Sequence, residues 1–283
     1  EYDYSNRMIS GNTREDGSKC GFGGCYYNRP SDRKDDFSEI SARAGLTTTF
    51  ERLNYFAQIS LGFRPPQINE AYRLQKKQNV TDLDSETLTM FEIGSRFEND
   101  KINGSISIYQ SKKKNSIFRD AENFIVDNGK TDHEGVELSL DWLINTNNTI
   151  STSLTYGDHK YDFETDTSMR EKIRIGNKID TSPKLMANLI WDIILGDDNL
   201  LSFEIEHMSS YYTDAANLHK YDGHTLYHTR LNRNISPTLK GFIRIDNIFD
   251  KAYAERADFN AFGGDRYFPG LPREFYVGIE YTF

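Results

Sequence analysis

The chain has 283 residues, enough for one large all-β unit or two ordinary domains. Its formal net charge of −9 argues against general nucleic-acid binding, because nucleic-acid phosphates select basic surfaces. Hydrophobic residues make up only 37% of the chain, yet aromatic residues reach 13%. This composition is unusual for a dry soluble core and typical of a membrane barrel with a wet lumen and aromatic girdles. No apolar run approaches the roughly 20 residues of a membrane helix, which excludes a helical membrane protein.

The first predicted strand lies near Glu1–Met8 and leads into a long polar segment that holds both cysteines. Cys20 and Cys25 stand in "CGFGGC", whose glycines suit a tight loop in which two thiols can bridge with little strain. A metal site is the alternative, but two sulfurs without a second pair or a nearby histidine suit zinc poorly. In an oxidising compartment we predict a Cys20–Cys25 disulfide that stiffens this loop. No signal peptide is visible, so we expect any export signal to lie upstream.

Alternation of apolar and polar residues recurs along the rest of the chain, as in strands with one apolar and one polar face. The polar faces carry repeated Asp, Glu, Lys and Arg, which a dry core could not hide and a water-filled lumen can. These alternating stretches approach the 9–11 residues that a tilted strand needs to cross a membrane. The segments are Tyr55–Leu61, Phe91–Phe97, Ile102–Tyr109, Val136–Trp142, Leu185–Ile193, Leu201–Glu206 and Phe275–Phe283.

The connections alternate in length. Short turns rich in Asn, Asp and Gly fall at Glu51–Asn54, Glu98–Lys101, Asn145–Asn148, Gly196–Asn199 and Asn234–Thr238. Long polar segments fall at 9–36, 64–86, 120–130, 164–182, 213–223 and 251–271. Short turns on one side and long loops on the other are typical of outer-membrane barrels. We predict an all-β fold, an antiparallel transmembrane β-barrel segment of about twelve strands with short periplasmic turns and long extracellular loops.

The last strand fixes the predicted direction of the chain. If the short turns are periplasmic, the C-terminus ends at the periplasmic rim, and an even strand count places Glu1 there too. We predict that the apolar side of this strand faces lipid. Its residues are Phe275, Val277, Ile279, Tyr281 and Phe283.

Five stretches carry motifs in a fixed order. They are "GFRPPQINEAYRLQ" (Gly62–Gln75), "DLDSETLTMFEIGSRF" (Asp82–Phe97), "NGKTDHEGVELSL" (Asn128–Leu140), "IDNIFDKAYAE" (Ile245–Glu255) and "GDRYFPGLPREFYVGIEYTF" (Gly264–Phe283). Together they resemble the motifs of TonB-dependent outer-membrane receptors of the siderophore-receptor type. One departure is Ser85, which stands where the family usually has Pro. Each motif alone is weak, whereas five in the family's order are specific.

The resemblance implies a 22-stranded barrel plugged by an N-terminal domain, which imports scarce ligands with energy passed from the inner membrane. Residues 1–283 are then the C-terminal part of the barrel domain, with the plug domain, the TonB box and the signal peptide absent. The implied partners are the TonB complex, reached through the missing plug, and the barrel-assembly machinery, reached through Phe283. The implied location is the outer membrane of a Gram-negative bacterium, crossed many times by β-strands.

The resemblance also indicates a ligand site, because receptors of this family bind ligands at extracellular loops through Arg, Tyr and Gln. Arg offers a planar fork for carboxylates and Tyr a rigid surface with one hydroxyl. Arg64 has an alternative role in bracing the strand-to-loop corner, with Glu70 pairing internally. Tyr72 and Arg73 lie past the corner, where we expect freer side chains. The candidate ligand-binding residues are Arg64, Gln67, Asn69, Glu70, Tyr72 and Arg73.

Two further clusters have competing interpretations. Lys76, Lys77 and Lys112–Lys114 could attract an anionic iron chelate, contact lipopolysaccharide phosphates or form a solvated rim. His219, His224 and His228 could ligate a metal or haem iron, and we interpret Tyr211 and Tyr212 beside them as girdle residues. Haem receptors of the family carry Asn-Pro-Asn-Leu where this chain has "NVTDLDSE", which disfavours haem. We predict no metal site and no cofactor.

No nucleophile elbow, paired-metal histidine motif or phosphate loop is present in the sequence, so we predict that the protein is not an enzyme. The predicted function is energy-coupled import of a scarce small ligand by an outer-membrane receptor, with a ferric siderophore as the first choice. The alternative is a self-contained twelve-stranded outer-membrane barrel that acts as a passive channel or as a lipid or peptide hydrolase.

Overall fold

The computed structural model describes residues 2–4, 12–14, 27–29, 32–75, 78, 82–119, 124–165 and 172–283. Long strands dominate these residues, and one short helix interrupts them. In chain order the elements are β1 (Tyr2–Tyr4), β2 (Asn12–Arg14), β3 (Tyr27–Arg29), β4 (Arg33–Asp35), β5 (Ala42–Phe50), β6 (Leu53–Arg64), α1 (Ile68–Ala71), β7 (Leu74–Gln75), β8 (Glu86–Glu98), β9 (Ile102–Arg119), β10 (Ile125–Asn145), β11 (Asn148–Tyr161), β12 (Leu185–Leu195), β13 (Asn199–Met208), β14 (Tyr211–Tyr212), β15 (Lys220–Tyr221), β16 (His224–Ser236), β17 (Leu239–Asp246), β18 (Ala254–Asn260), β19 (Gly264–Pro269) and β20 (Glu274–Tyr281).

Eleven of these strands form one antiparallel sheet in the order β5-β6-β8-β9-β10-β11-β12-β13-β16-β17-β20. Each strand pairs with the next long strand along the chain, so the sheet is a continuous meander. The edges are β5 and β20, and no pairing between them closes the sheet within the described residues. The predicted all-β antiparallel fold is confirmed, with eleven strands in the main sheet rather than about twelve.

The five short turns all lie at one end of the sheet, and the long connections all lie at the other. Asparagine side chains shape these turns by accepting hydrogen bonds from backbone amides. Asn99 Oδ1 accepts from the amides of Lys101 and Ile102, each at 2.9 Å, and Asn145 Oδ1 accepts from the amide of Asn147 at 2.9 Å. The predicted segregation of short and long connections is therefore confirmed for every connection between two strands of the main sheet.

The small buried clusters of this chain lie among the long connections and not between two sheets. The minor strands, among them β14 with β15 and β18 with β19, pair only with one another. Three buried clusters lie among these connections and the adjoining ends of the main strands: Leu74, Leu83, Ile117 and Ile125; Tyr211, Tyr221, Ala254 and Ala257; and Tyr161, Ile173 and Ala215. The long connections are thus packed structures in their own right, held by apolar contacts and short ladders.

One face of the main sheet is apolar and exposed, and we call it the apolar face; the opposite face is the polar face. Ile279 is 77% exposed and Leu46 81% exposed, values that a packed sandwich would not leave. The strand pairing aligns apolar side chains into rows that cross several strands. One row runs Ala57, Ile93, Ile108, Val136, Tyr156 and Leu185, and another runs Trp142, Ile150, Trp191, Phe203, Thr229, Ile245 and Phe275.

On the apolar face, the apolar side chains form a band that crosses the sheet obliquely, and we call this band the apolar belt. Its end toward the long connections is Phe63 on β6 and Phe275 on β20. The row through Phe275 leads, strand by strand, to the short turn at Glu51. Measured along β6, that turn lies about twelve residues, or about 40 Å, below Phe63. Measured across the sheet, β6 and β20 are nine strand spacings of about 4.8 Å apart. The belt is therefore inclined by about 43°, within the tilt that strands of outer-membrane barrels have.

The prediction of a first strand near Glu1–Met8 is only partly confirmed. Tyr2–Tyr4 forms a strand, but it pairs with β4 and not with the main sheet. Tyr2 Oη donates to the carbonyl oxygen of Pro66 at 3.0 Å, which places β1 at the long-connection end. The prediction that the first strand starts at the short-turn end is therefore wrong for Tyr2–Tyr4, because alternating aromatics suit a short loop strand equally well.

Some predicted features lie outside the described residues. They are the cysteine pair Cys20 and Cys25, and the lysines Lys76 and Lys77. Within the described part of the chain, the single helix α1 lacks the length and apolar character needed to span a membrane. The candidate functional residues that the structure does place lie in or beside the long connections.

Candidate functional site

The end of β6 is a braced corner. Pro65 and Pro66 follow Arg64 directly and restrict the backbone where it leaves the sheet. The Arg64 guanidinium donates to Glu70 on α1, at 2.9 Å from Nη1 and 3.1 Å from Nη2, and also to Glu86 through Nε. Arg64 thus ties the short helix to the first residue of β8, as the bracing interpretation expects.

Glu86 is the buried centre of this corner, at 3% exposed. Besides Arg64, it accepts a hydrogen bond from the Ile117 amide at 2.7 Å and pairs with Lys113 Nζ at 2.8 Å. Burial alone favours the protonated acid, but hydrogen bonds from Arg64 and Ile117 and the Lys113 ammonium together lower the pKa of Glu86. An ionised carboxylate therefore joins β6, β8 and β9 above the apolar belt.

Tyr72 is a second anchor of the same corner. Its side chain is 3% exposed, and its hydroxyl donates to Asp35 Oδ2 at 2.5 Å. Burial, reinforced by the Asp35 carboxylate, raises the pKa of Tyr72. Arg33 pairs with the same Asp35 and reaches Asp82 at 2.9 Å. The expectation that Tyr72 has a freer side chain than Arg64 is wrong, because a contact with a residue 37 positions away buries it.

The polar side of the surface that the corner presents to solvent consists of Gln67, Asn69 and Arg73, all exposed, with Ile68 exposed among them. Arg119 at the end of β9 holds the backbone beneath them, since its Nη2 donates to the carbonyl oxygens of Asn69 at 3.1 Å and Arg73 at 2.9 Å. The Gln67 amide donates to Glu70 Oε2 at 2.6 Å and so closes the first turn of α1. We call Gln67, Asn69 and Arg73 the platform, because all three are exposed on a backbone held by Arg119 and Glu70.

The six candidate residues thus divide into two groups. Arg64, Glu70 and Tyr72 hold the corner together, and the platform residues stand on it. Sequence reasoning missed Asp35, Glu86 and Arg119, which do much of the holding. Glu86 had a signal in the sequence, because it follows Ser85 in the second family-like stretch. Asp35 and Arg119 had none, since their partners are distant along the chain.

The lysines of β9 have separate surroundings. Lys113 points to the polar face and pairs with Glu86, whereas Lys112 lies on the other face, 3.3 Å from Asp132. Lys114 lies directly opposite Lys130 of β10, and both are exposed. The lysines of the run Lys112–Lys114 therefore belong to two different surfaces. Lys113 is part of the corner, whereas Lys112 and Lys114 lie on the side of the sheet that carries the apolar face.

The histidines of the third cluster do not converge. His219 stacks on Phe259 with ring centroids 3.8 Å apart, and His228 Nδ1 lies 3.2 Å from Asp246. His224 contacts Tyr221 at 2.9 Å. Within the described residues, no group of three or more His, Cys, Asp or Glu side chains is placed to hold a metal ion.

The interpretation of Tyr211 and Tyr212 as girdle residues is wrong. Tyr211 is buried among the long connections, where its hydroxyl accepts from the Ala257 amide at 2.8 Å and donates to the Ala257 carbonyl at 3.2 Å. Tyr212 lines a neighbouring cavity of about 440 Å³. Tyr211 therefore holds two connections together, and Tyr212 faces the cavity instead of an interface.

That cavity contains a charge cluster that the sequence did not indicate. Asp158 at the end of β11 pairs with Lys160 at 2.7 Å, with Lys178, and with Lys184 at 3.5 Å. Burial opposes ionisation, but hydrogen bonds from Lys160 and Lys178 lower the pKa of Asp158 well below its usual range. The cluster joins β11 to the connection that follows it.

The chain matches one family model, described as TonB dependent receptor-like, beta-barrel, over residues 2–248. No curated protein sequence matches it. Among solved structures it resembles the ferric-catecholate import receptor Fiu of E. coli K12 in its closed form, with a TM-score of 0.72 and 16% identity over 98% of this chain and 40% of that one.

Two further solved structures have the same fold. The siderophore receptor PiuA of Acinetobacter baumannii has a TM-score of 0.70 and 19% identity over 84% of this chain and 35% of that one. The ferric citrate transporter FecA in its unliganded form has a TM-score of 0.70 and 20% identity over 85% of this chain and 38% of that one. The chain thus spans 35–40% of the length of these three proteins.

Proposed function

Because the chain belongs to the family of TonB-dependent receptor β-barrels, we propose that the whole protein imports a scarce small ligand, a ferric siderophore, across the outer membrane. The observation that carries the proposal is the family match over residues 2–248. The family and the structural neighbours are transport receptors and not enzymes. The family implies an outer-membrane β-barrel, and the oblique apolar belt has the inclination that such a barrel requires.

The choice of cargo is supported by the neighbours. Those described above are, by their names, receptors or transporters for a siderophore, ferric catecholates and ferric citrate. Growth of the source bacterium on a panel of single iron sources, with the gene present or deleted, tests the proposal. Loss of growth on one ferric chelate supports it, and unchanged growth on every source contradicts it.

The platform supports a ligand site at the corner after β6. A side chain on a fixed backbone loses less entropy on binding than one on a flexible loop. The platform residues Gln67, Asn69 and Arg73 offer an amide, an amide and a planar cation, which suit the oxygen atoms of an anionic chelate. We therefore assign ligand contact to the platform, and support of the platform to Arg64, Glu70 and Tyr72.

Arg73→Ala in the full receptor tests this division. It should weaken binding of the chelate identified by growth by about 1–3 kcal/mol, the range of a charged hydrogen-bonded contact. Surface abundance should stay normal. Arg52→Ala is the matched control, because Arg52 is exposed in the turn at the opposite end of the sheet. Equal affinity of both variants and the wild type would move the ligand site away from the platform.

We assign the remaining partners by family. The TonB complex would act through an N-terminal plug, and the barrel-assembly machinery would recognise the C-terminal strand ending in Phe283. On the lipid side of β20, Phe275, Val277, Ile279 and Tyr281 would contact the acyl chains. The source organism would be a Gram-negative bacterium.

Lipopolysaccharide is a further proposed partner, at Lys114 and Lys130. Two like charges directly opposite each other on neighbouring strands repel, and a lipid phosphate would relieve that repulsion. Both lysines lie beyond Ile108 and Val136, where the apolar belt ends on β9 and β10. The double variant Lys114→Gln, Lys130→Gln should copurify with less lipopolysaccharide than Lys101→Gln, whose lysine lies at the other end of the sheet. Equal amounts would contradict this assignment.

A further inference from the structure

Three metal-binding side chains lie side by side on the polar face of the sheet. Met186 of β12 is directly opposite Met208 of β13, and Met208 is directly opposite His224 of β16. Directly opposed residues in an antiparallel sheet point to the same face, with Cβ atoms about 4.5–5.5 Å apart. Two thioethers and one imidazole therefore occupy consecutive strands. We call this set the Met–Met–His row.

The row borders an open space. A cavity of about 400 Å³ is lined by Met186, Met208 and His224, together with Asn188 and Glu206 of the next row. Adjacent strands lie about 4.8 Å apart, so an ion above the central strand is within reach of the two long flanking side chains. The geometry of the row thus suits a single ion held by three ligands.

The hydrogen bonds of Tyr221 determine which nitrogen of His224 is available. The Tyr221 hydroxyl has one proton, which it donates to the Ala254 carbonyl at 3.2 Å, and it accepts from the Ala254 amide at 3.0 Å. Its oxygen also lies 2.9 Å from His224 Nδ1, so that nitrogen is occupied by Tyr221. Nε2 is then the nitrogen left for a ligand, in the tautomer whose Nδ1 proton is donated to the phenol oxygen. Metal-binding histidines commonly have this arrangement, with the second nitrogen held by an outer hydrogen bond.

The donor set decides which metal fits. Zinc sites take thiolate, imidazole and carboxylate ligands, whereas thioethers select Cu(I). We propose that Met186, Met208 and His224 form a three-coordinate site for a monovalent soft metal ion, Cu(I). This site goes beyond import of a ferric chelate and does not depend on it.

Packing alone does not account for the row. Met208 also contacts the buried cluster around Tyr211 and Tyr221, which is the ordinary role of a flexible thioether. Met186 is in none of the buried clusters of the described residues; it is 48% exposed on the polar face and lies opposite Thr155 on its other side. A half-exposed methionine beside a second methionine and a histidine leaves its thioether available to a ligand.

Titration of the purified full receptor with Cu(I), under anaerobic reducing conditions and against a chromogenic Cu(I) chelator, tests the site. We expect one bound equivalent in the wild type. Met186→Leu and His224→Gln should each weaken binding at least tenfold. Met90→Leu is the matched control, because Met90 lies on the same face between Ser60 and Ser111. Unchanged affinity in the Met186 and His224 variants would overturn the proposal, as would equally tight binding of Zn(II).

A second measurement does not depend on how well the variants fold. In wild-type receptor labelled with ¹³C at the methionine methyl groups, Ag(I) serves as a redox-stable substitute for Cu(I). We expect the Met186 and Met208 signals to shift with one equivalent of Ag(I), while the Met90 signal stays in place. Stationary Met186 and Met208 signals would overturn the site even if some copper binds elsewhere.

Discussion

At the scale of single residues, the corner after β6 depends on ionised groups that are mostly removed from water. Glu86 faces two cations and one backbone amide, and Arg64 faces two carboxylates. Removing one partner from such a buried network leaves the others uncompensated, which costs more than the intact network contributes. The corner is therefore sensitive to single substitutions although it lies at the surface of the molecule.

Glu86→Gln tests this sensitivity. The amide cannot neutralise Arg64 and Lys113, so we expect the free energy of unfolding of the full receptor to fall by about 3 kcal/mol. The midpoint of urea unfolding measures the loss. Glu255→Gln is the control, since Glu255 is exposed at the same end of the molecule. A midpoint as little changed as in the control would mean that the network contributes no net stability.

Asp158 should make stability depend on pH at low pH. Its pKa is lower in the folded protein than in the unfolded chain, so its stabilisation is present above the unfolded value of about 4 and is lost as the pH falls through the folded value. We expect the urea midpoint of the wild type to fall more between pH 7 and pH 3 than that of Asp158→Asn. Asp162→Asn, at an exposed neighbour, should behave like the wild type. Parallel pH profiles for all three proteins would contradict this role.

At the scale of the elements, successive side chains of each main strand point alternately to the apolar face and to the polar face of the sheet. Alternation in the sequence predicts this facing well, because the period of two follows from strand geometry alone. The short turns are predictable for a similar reason, since their Asn and Asp residues act locally. The burial of Tyr72 and the pairing of β1 with β4 were not predictable, because each depends on a contact between distant parts of the chain.

The apolar and the polar face of β20 can be tested separately by one substitution on each. Ile279→Lys places a charge on the apolar face, and we expect a cost of roughly 2–4 kcal/mol if the residue meets the middle of the bilayer. Glu280→Lys changes the polar face and brings a like charge opposite Lys240, at a cost of about 1 kcal/mol or less. Unfolding of the full receptor from lipid vesicles measures both. Equal costs would show that the assigned facing is wrong.

At the scale of the whole molecule, the sheet has two edges without partners among the described residues, β5 and β20. Unpaired backbone amides and carbonyls cannot be satisfied in lipid, so an open sheet is not a stable membrane structure. The chain aligns with 35–40% of the length of three solved receptors.

Expression of the 283-residue segment alone tests this conclusion. We expect aggregation or degradation, because both edges would stay open. The full-length receptor, expressed in parallel, should give a monomer whose electrophoretic mobility changes on heating. A heat-modifiable monomer from the segment alone would favour the alternative of a smaller closed barrel.

The inclination of the apolar belt limits how the gene can change in length. A single codon inserted within a main strand would turn every following side chain of that strand to the opposite face and shift it by about 3.4 Å against the belt. The short turns leave almost no slack to absorb such an insertion. The long connections begin and end beyond the belt, where extra or missing residues disturb no row. Length variation among descendants of this gene should therefore accumulate at the rim of the long connections, while the wall formed by the long strands keeps its length and register.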